Sequence, residues 1–179
     1  MSRQLSLIRF SLVVLAAGAL FLLLANYAYS FTGRQKAPAM QASVTYLYLL
    51  RKTPFFTRLT TAQLRDVIAH AQEWEVQPGT AIADSAHDDG AIWILLDGGW
   101  QVEADGKVYP ALHDEAGKWY GGPATQGAAV ASRLVVSQHS YVMRISGAEF
   151  ARLRQQGADV DTHLRLGEAY YERILRPAG

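Results

Sequence analysis

Ile92-Trp93-Ile94-Leu95-Leu96-Asp97-Gly98-Gly99-Trp100-Gln101-Val102-Glu103-Ala104-Asp105-Gly106-Lys107-Val108-Tyr109-Pro110-Ala111-Leu112 is three short apolar or alternating runs cut by two glycine turns. Runs of this length are too short for helices, and their aromatic and β-branched content reads as strand. Asp-Gly between two such runs is a strong hairpin signal, because its two central residues tolerate positive φ. The same rhythm extends outward. Trp74–Gln77 and Thr80–Ala83 flank Pro78-Gly79 upstream, while Leu134–Ser137 and Tyr141–Ile145 follow Gly121-Gly122-Pro123 downstream. Even spacing with turn signals predicts an antiparallel sandwich or barrel, a β-roll over 74–145.

Helices bracket this roll. A brief one over 46–52 ends before Pro54, whose ring disfavours helical geometry in the preceding residue. A second, over 61–71, is announced by Thr60 and Gln63 at capping-box spacing and by Leu59 and Leu64 as a hydrophobic staple. After the roll, Ser146 with Glu149 and Ile145 with Phe150 repeat that signature at the start of a helix over 147–156. Val160, Leu164, Gly167, Tyr171 and Ile174 then form one apolar stripe on a last helix over 159–175, which Pro177 stops.

The N-terminal segment has a different composition. After a basic stretch over 1–9, Phe10 to Gly33 is 24 residues without a charge, and a helix of about 20 residues crosses the hydrocarbon of a bilayer. Arg9 and Arg34 bracket the run, and Tyr27, Tyr29 and Phe31 stand where an aromatic belt meets headgroups. The expectation is one transmembrane helix over 10–33. A secretory signal peptide is the competing reading, with Ala28-Tyr29-Ser30 as its cleavage site, although the apolar run is longer than a usual signal core. Ala16, Ala17 and Gly18 are ordinary membrane composition or, more pointedly, a face on which another helix packs closely. Residues 34–43 read as a linker containing Pro38, and 44–179 as one domain.

The full chain carries a formal net charge of +1, but residues 34–179 hold 15 basic and 16 acidic side chains. Such a balance offers no basic face, so nucleic acid is not an expected partner. Cysteine is absent, which excludes disulfides and thiolate chemistry. The five histidines are scattered, and His87-Asp88-Asp89 and His113-Asp114-Glu115 read as polar hairpin tips because adjacent positions diverge, so no metal site is expected. Neither a Gly-x-Ser-x-Gly elbow nor a Gly-rich loop with lysine occurs, and no enzyme is expected.

In family order, Leu50-Arg51-Lys52-Thr53-Pro54-Phe55-Phe56, Gln77-Pro78-Gly79-Thr80-Ala81-Ile82, Ile92 to Gly99, and Val142 to Phe150 resemble the cyclic-nucleotide-binding domain. Crp-type regulators, kinase regulatory subunits and gated channels share it, and the likeness covers roughly 46–175. It implies a mainly β protein with flanking helices, a double-stranded β-helix or jelly roll, here preceded by the transmembrane helix. It also implies where a ligand would sit: a cassette with a turn carboxylate for the ribose hydroxyl, and an arginine that, with backbone amides, holds the cyclic phosphate. The corresponding turn here is Tyr120-Gly121-Gly122, with Gly122 at the carboxylate position, and the arginine position falls near Val130 or Ala131. Pro123 removes a further amide. Arg133, two places from Ala131 and on the same strand face, is the one nearby rescue.

These residues imply a cassette without its ligand groups, no cofactor, and cyclic nucleotide not bound. The expected function is a membrane-anchored scaffold or accessory subunit of an integral membrane complex. Its partners are the lipid bilayer and other membrane subunits, at the inner membrane with the domain leaning to the cytoplasm. The alternative is a membrane-anchored cAMP or cGMP sensor that uses Arg133. Trp100 and Trp119, beside glycine turns, and the pair Tyr170-Tyr171 are interface candidates, against the plainer reading that they pack in the core.

Overall fold

The computed structural model describes residues 38–126 and 128–176. Nine strands form two antiparallel sheets. In chain order they are β1 (Met40–Ala42), β2 (Ala71–Val76), β3 (Ala81–Asp84), β4 (Ile92–Asp97), β5 (Gly99–Ala104), β6 (Lys107–Leu112), β7 (Trp119–Gly121), β8 (Ser132–Val136) and β9 (Ser140–Ile145). One sheet runs β1-β2-β9-β4-β7 and the other β3-β8-β5-β6. Four helices accompany them: α1 (Leu47–Leu50), α2 (Thr61–His70), α3 (Gly147–Gln155) and α4 (Asp161–Leu175). The mainly β roll with flanking helices is therefore present. Among the described residues no helix is long and apolar enough to cross a membrane. The apolar run over 10–33, with Ala16, Ala17 and Gly18, lies outside the described residues.

Local sequence accounts for the elements it marked. Asp105 (φ 51°) and Gly106 (φ 68°) make the β5–β6 turn, the pairing of two positive-φ residues that suits the right-handed twist of a hairpin. At α2 the capping box is complete. Thr60 Oγ1 accepts from the Gln63 amide at 3.3 Å and Gln63 Oε1 accepts from the Thr60 amide at 2.9 Å, while Leu59 and Leu64 are both buried. At α3 only half of the box forms: Ser146 Oγ accepts from the Glu149 amide, but the Glu149 carboxylate turns to Arg152 Nε at 2.7 Å. A charged partner on the next turn offers a stronger bond than a neutral amide.

Two elements depart from the sequence reading. The supposed linker over 34–43 contains β1, whose three residues pair with Val76, Glu75 and Trp74, so the compact unit begins at Pro38. An edge strand held by backbone bonds needs no side-chain pattern. Likewise Tyr120-Gly121, read as a turn, completes β7 against Ile92 and Trp93 of β4.

β4 is buried on both faces: Ile92, Trp93, Ile94 and Leu95 are all at most 9 % exposed. Successive residues of β7 show what lies on each side. The Trp119 indole reaches α4, donating Nε1–H to the His163 carbonyl at 2.9 Å, whereas the Tyr120 hydroxyl reaches β8 and meets Ser132 Oγ at 2.8 Å. One face of this sheet thus packs on the helices and the other on the opposite sheet.

The stripe on α4 packs back on the roll. Leu164, Gly167, Tyr171, Ile174 and Leu175 are buried, and Tyr171 donates its hydroxyl to the Trp119 carbonyl at 2.6 Å. Three interface candidates are thereby corrected: Trp100 and Trp119 are fully buried and Tyr171 is 1 % exposed. Each indole finds a buried carbonyl, Gly117 for Trp100 and His163 for Trp119, which removes the polar reason for staying at the surface. Tyr170 is half-buried, edge-on to Tyr171 at 5.0 Å and beneath the Arg173 guanidinium.

A Cβ built on Gly167 would overlap Trp119 Nε1. Alanine there would gain about 1 kcal/mol of helix propensity, but overpacking costs about 1–3 kcal/mol and the indole would also lose its carbonyl. Gly167→Ala is therefore expected to lower the urea midpoint of the full chain by the equivalent of about 1–3 kcal/mol, with Trp fluorescence reporting the displaced indole.

His163 lies in α4 against Phe55, ring centroids 5.5 Å apart, with Nδ1 buried and unpartnered. Burial, then the nearby Lys118 and Arg58 cations, hold its pKa below the ordinary 6.5, against a smaller opposing pull from Asp159. The unfolded chain thus binds more protons between the lowered value and 6.5, so stability falls as pH drops through that window. Thermal melts are expected to show a smaller acid-induced loss for His163→Gln than for the unmodified chain.

Candidate functional site

A cleft of about 490 Å³ opens between the two sheets beside the end of β7. β3 and the 87–89 loop form one wall, and Trp93, Tyr120 and Gly121 the floor. Arg133 and Arg144 enter from β8 and β9. Arg144 pairs across the ladder with Trp93, and Trp93 with Tyr120. Directly opposed residues share a sheet face, so all three look into the roll.

Gly121 has φ 106° and a Cβ on it would overlap the Ala91 carbonyl oxygen; Gly122 has φ 49° and a Cβ on it would stand 2.7 Å from Ile92 Cδ1. Both positions are thus committed to glycine by the close approach of β4. Gly122–Ala124 makes one 3₁₀ turn, and the amides of Thr125 and Gln126 both donate to the Gly122 carbonyl, at 3.2 and 2.9 Å. These two amides close the turn on itself.

A carboxylate of the chain is bonded at the end of this turn, on its capping residue Thr125. Asp88 accepts the Thr125 hydroxyl on one oxygen and the Gly90 amide, at 2.8 Å, on the other. Its neighbour Asp89 accepts from the Ala91 amide and pairs with Arg144. Burial tends to raise the Asp89 carboxyl, but the Ala91 amide and the Arg144 guanidinium outweigh it and hold the group below the usual carboxylate range. Asp84 accepts from the Ala86 amide. Three aspartates therefore face two arginines around the cleft, a lining with the wrong sign for a cyclic phosphate.

Arg133 alternates with buried Ser132 and Leu134 along β8 and lies on the outer side of the strand, 3.2 Å from Glu103. Its side chain edges the cleft and also a second, shallower depression that Ala131 lines. Val130 packs partly against the core. Ala131 is exposed, and inside the roll Ser132 and Tyr120 meet each other. The Ser132 amide donates to Ser85 Oγ at 2.9 Å. Burial first, offset by the Ser132 bond and reinforced by Asp88 and Asp84, pushes the Tyr120 phenol up to about 12, so it remains a protonated donor.

Tyr120, Gly121 and Arg133 thus come together around one cleft, with Gly122 next in the chain, whereas Ala131 lines the second depression and Val130 packs against the core. Sequence reasoning missed Arg144 and the role of Asp88. Strand alternation with Val142 was the available signal for Arg144, whereas the bond between Thr125 and Asp88 joins loops 37 positions apart.

No known protein-family profile matches the chain, and no curated protein is similar to it. Solved structures are. A cAMP-bound regulatory chain, PfPKA-R (141–441), superposes with a TM-score of 0.57 at 16 % identity, over 73 % of this chain and 46 % of that one. The sensor domain of the transcriptional regulator DNR from Pseudomonas aeruginosa gives 0.51 at 17 % identity, over 74 % and 94 %. The regulatory subunit of a cAMP-independent protein kinase A from Trypanosoma cruzi, bound to guanosine, gives 0.55 at 18 % identity, over 73 % and 49 %. This chain spans about half the length of the first and third of these chains. The described domain has the cyclic-nucleotide-binding-like fold, and identities this low speak to fold alone.

Replacing Gly122 with glutamate places a carboxylate at the family position but on a left-handed backbone facing Ile92. Gly122→Glu is expected to cost about 1–2 kcal/mol, read by urea denaturation, without producing a cAMP isotherm by calorimetry.

Proposed function

We propose that this chain is a non-enzymatic, single-pass membrane protein whose roll no longer takes a cyclic nucleotide. It serves as an accessory or scaffold subunit of an integral membrane complex, at the inner membrane with its domain leaning to the cytoplasm. The observation that carries the reading is Asp88, a carboxylate bonded to the cassette residue Thr125 beside a turn that has glycine where the family places its acid. An incoming phosphate would meet that charge directly. Both nearby guanidiniums are already paired, Arg144 with Asp89 and Arg133 with Glu103. Exposed pairs are worth at most about 1 kcal/mol, so their pairing alone would not exclude an anion. The larger effect is the absence of two charge-assisted bonds at about 1.5–3 kcal/mol each, roughly a hundredfold or more in affinity.

Support for anchoring comes from the sequence, in the uncharged run from Phe10 to Gly33. A roll that keeps its packing without its ligand groups retains a surface for protein contacts, which suits a subunit better than a sensor.

Calorimetry on the full chain in mild detergent tests the nucleotide half. Neither cAMP nor cGMP is expected to approach saturation below about 100 μM. Micromolar binding abolished by Arg133→Ala would overturn the reading in favour of a sensor. In the same preparation other membrane subunits are expected to co-elute, and elution as a lone monomer would remove the accessory role.

A further inference from the structure

Seven large apolar side chains are exposed among the described residues, and four of them fall within six consecutive positions: Val44, Tyr46, Tyr48 and Leu49, each more than half exposed. Val44, Tyr46 and Leu49 border a groove of about 480 Å³ beside α1, the helix that also carries Tyr48. A cluster of this kind on a surface that is otherwise polar marks a contact site. Its rim is basic. Arg51 and Lys52 follow directly, and the Lys52 ammonium stands 4.3 Å from the Tyr48 ring centroid. Two carboxylates also line the groove. Glu73 is 8 % exposed and accepts the Thr45 hydroxyl, and Asp97 lies 3.8 Å from His113.

The charge of the whole chain is divided at this segment. No acid occurs before Asp66, while eight lysines and arginines do; the remaining nine basic residues share 66–179 with all 16 acids. Arg3 and Arg9 precede the uncharged run, so the segment between that run and Asp66 carries +6 and residues 66–179 carry −7 at neutral pH. Tyrosines with aliphatic and basic neighbours are the side chains that settle in the headgroup layer of a bilayer, and a polybasic segment directs them to anionic lipid. Chain length brings the two together. From Gly33, the end of the uncharged run, to Met40 at the start of β1 is seven residues, so the extended chain spans at most about 25 Å.

We propose that the face formed by Val44, Tyr46, Tyr48, Leu49, Arg51 and Lys52 docks on the anionic lipid headgroup layer of the membrane that holds the chain. This rests on the anchored reading above.

The absence of cysteine makes a direct test available in the full chain. Ser43→Cys, which lines the groove without removing any of the six residues, carries a fluorophore, and Asp105→Cys on the β5–β6 turn is the comparison site. Each is reconstituted in nanodiscs of phosphatidylcholine, alone or with phosphatidylglycerol, containing a headgroup-level nitroxide quencher. Quenching at Ser43→Cys is expected to exceed that at Asp105→Cys several-fold in anionic discs and to weaken in zwitterionic ones. R51E/K52E should shift the docked-to-free ratio by about fivefold or more for each cation removed, and Tyr46→Ser with Tyr48→Ser should act in the same direction.

A chain that remains in the discs with equal quenching at both sites overturns the docking while leaving the anchor intact. One that fails to stay with the discs overturns both. Shielding of the Ser43→Cys label in native membrane patches without quenching in lipid-only discs assigns the face to a protein neighbour and also overturns the proposal.

Discussion

Trp119 and α4 hold the site in place. The indole donates to the His163 carbonyl and occupies the space that a side chain at position 167 would fill, and Tyr171 donates back to the Trp119 carbonyl. Three residues thereby pin a strand of only three residues, β7, which backbone pairing alone would leave free to fray. With Trp119 fixed toward the helices, strand alternation sends Tyr120 into the roll, and Gly121 and Gly122 must pass close beneath β4. The conformation of the cassette turn follows from a tryptophan on the other face of the sheet.

The electrostatics of the cleft follow from that turn. Its amides bond within the turn, its threonine bonds to Asp88, and the arginines nearest to it have carboxylate partners, Glu103 on strand β5 and Asp89 in the loop before β4. A site for an anionic ligand keeps donors unsatisfied or loosely hydrated until the ligand arrives. Here the chain supplies the acceptors itself, and the polar groups around the cleft are engaged in internal bonds.

Much of the fold was legible in the residues. Capping signals at Thr60 and Ser146, the Asp-Gly hairpin and the double-sided apolar run of β4 each act locally, over spans where neighbouring side chains and backbone geometry decide the outcome. The strands that escaped notice, β1 and β7, are three residues long and depend on a partner strand for their existence. Trp100 and Trp119 were open to an interface reading because a glycine turn beside an aromatic looks alike whether the ring faces solvent or core. Only the buried carbonyls of Gly117 and His163 distinguish the two.

At the site the same division applies. The expectation that Gly122 falls at the family's carboxylate position, and Val130 or Ala131 at its arginine position, comes from the order of the residues alone. That Arg133 turns outward to Glu103, that Arg144 looks inward, and that Asp88 reaches Thr125 depend on strand pairing and loop approach between positions tens of residues apart. By itself the sequence determined the roll and its helices, because turns, caps and apolar patterning are local properties. The tertiary structure alone decided which charges meet in the cleft, because electrostatic partners are set by distance in space, and the chain closes those distances only when it folds.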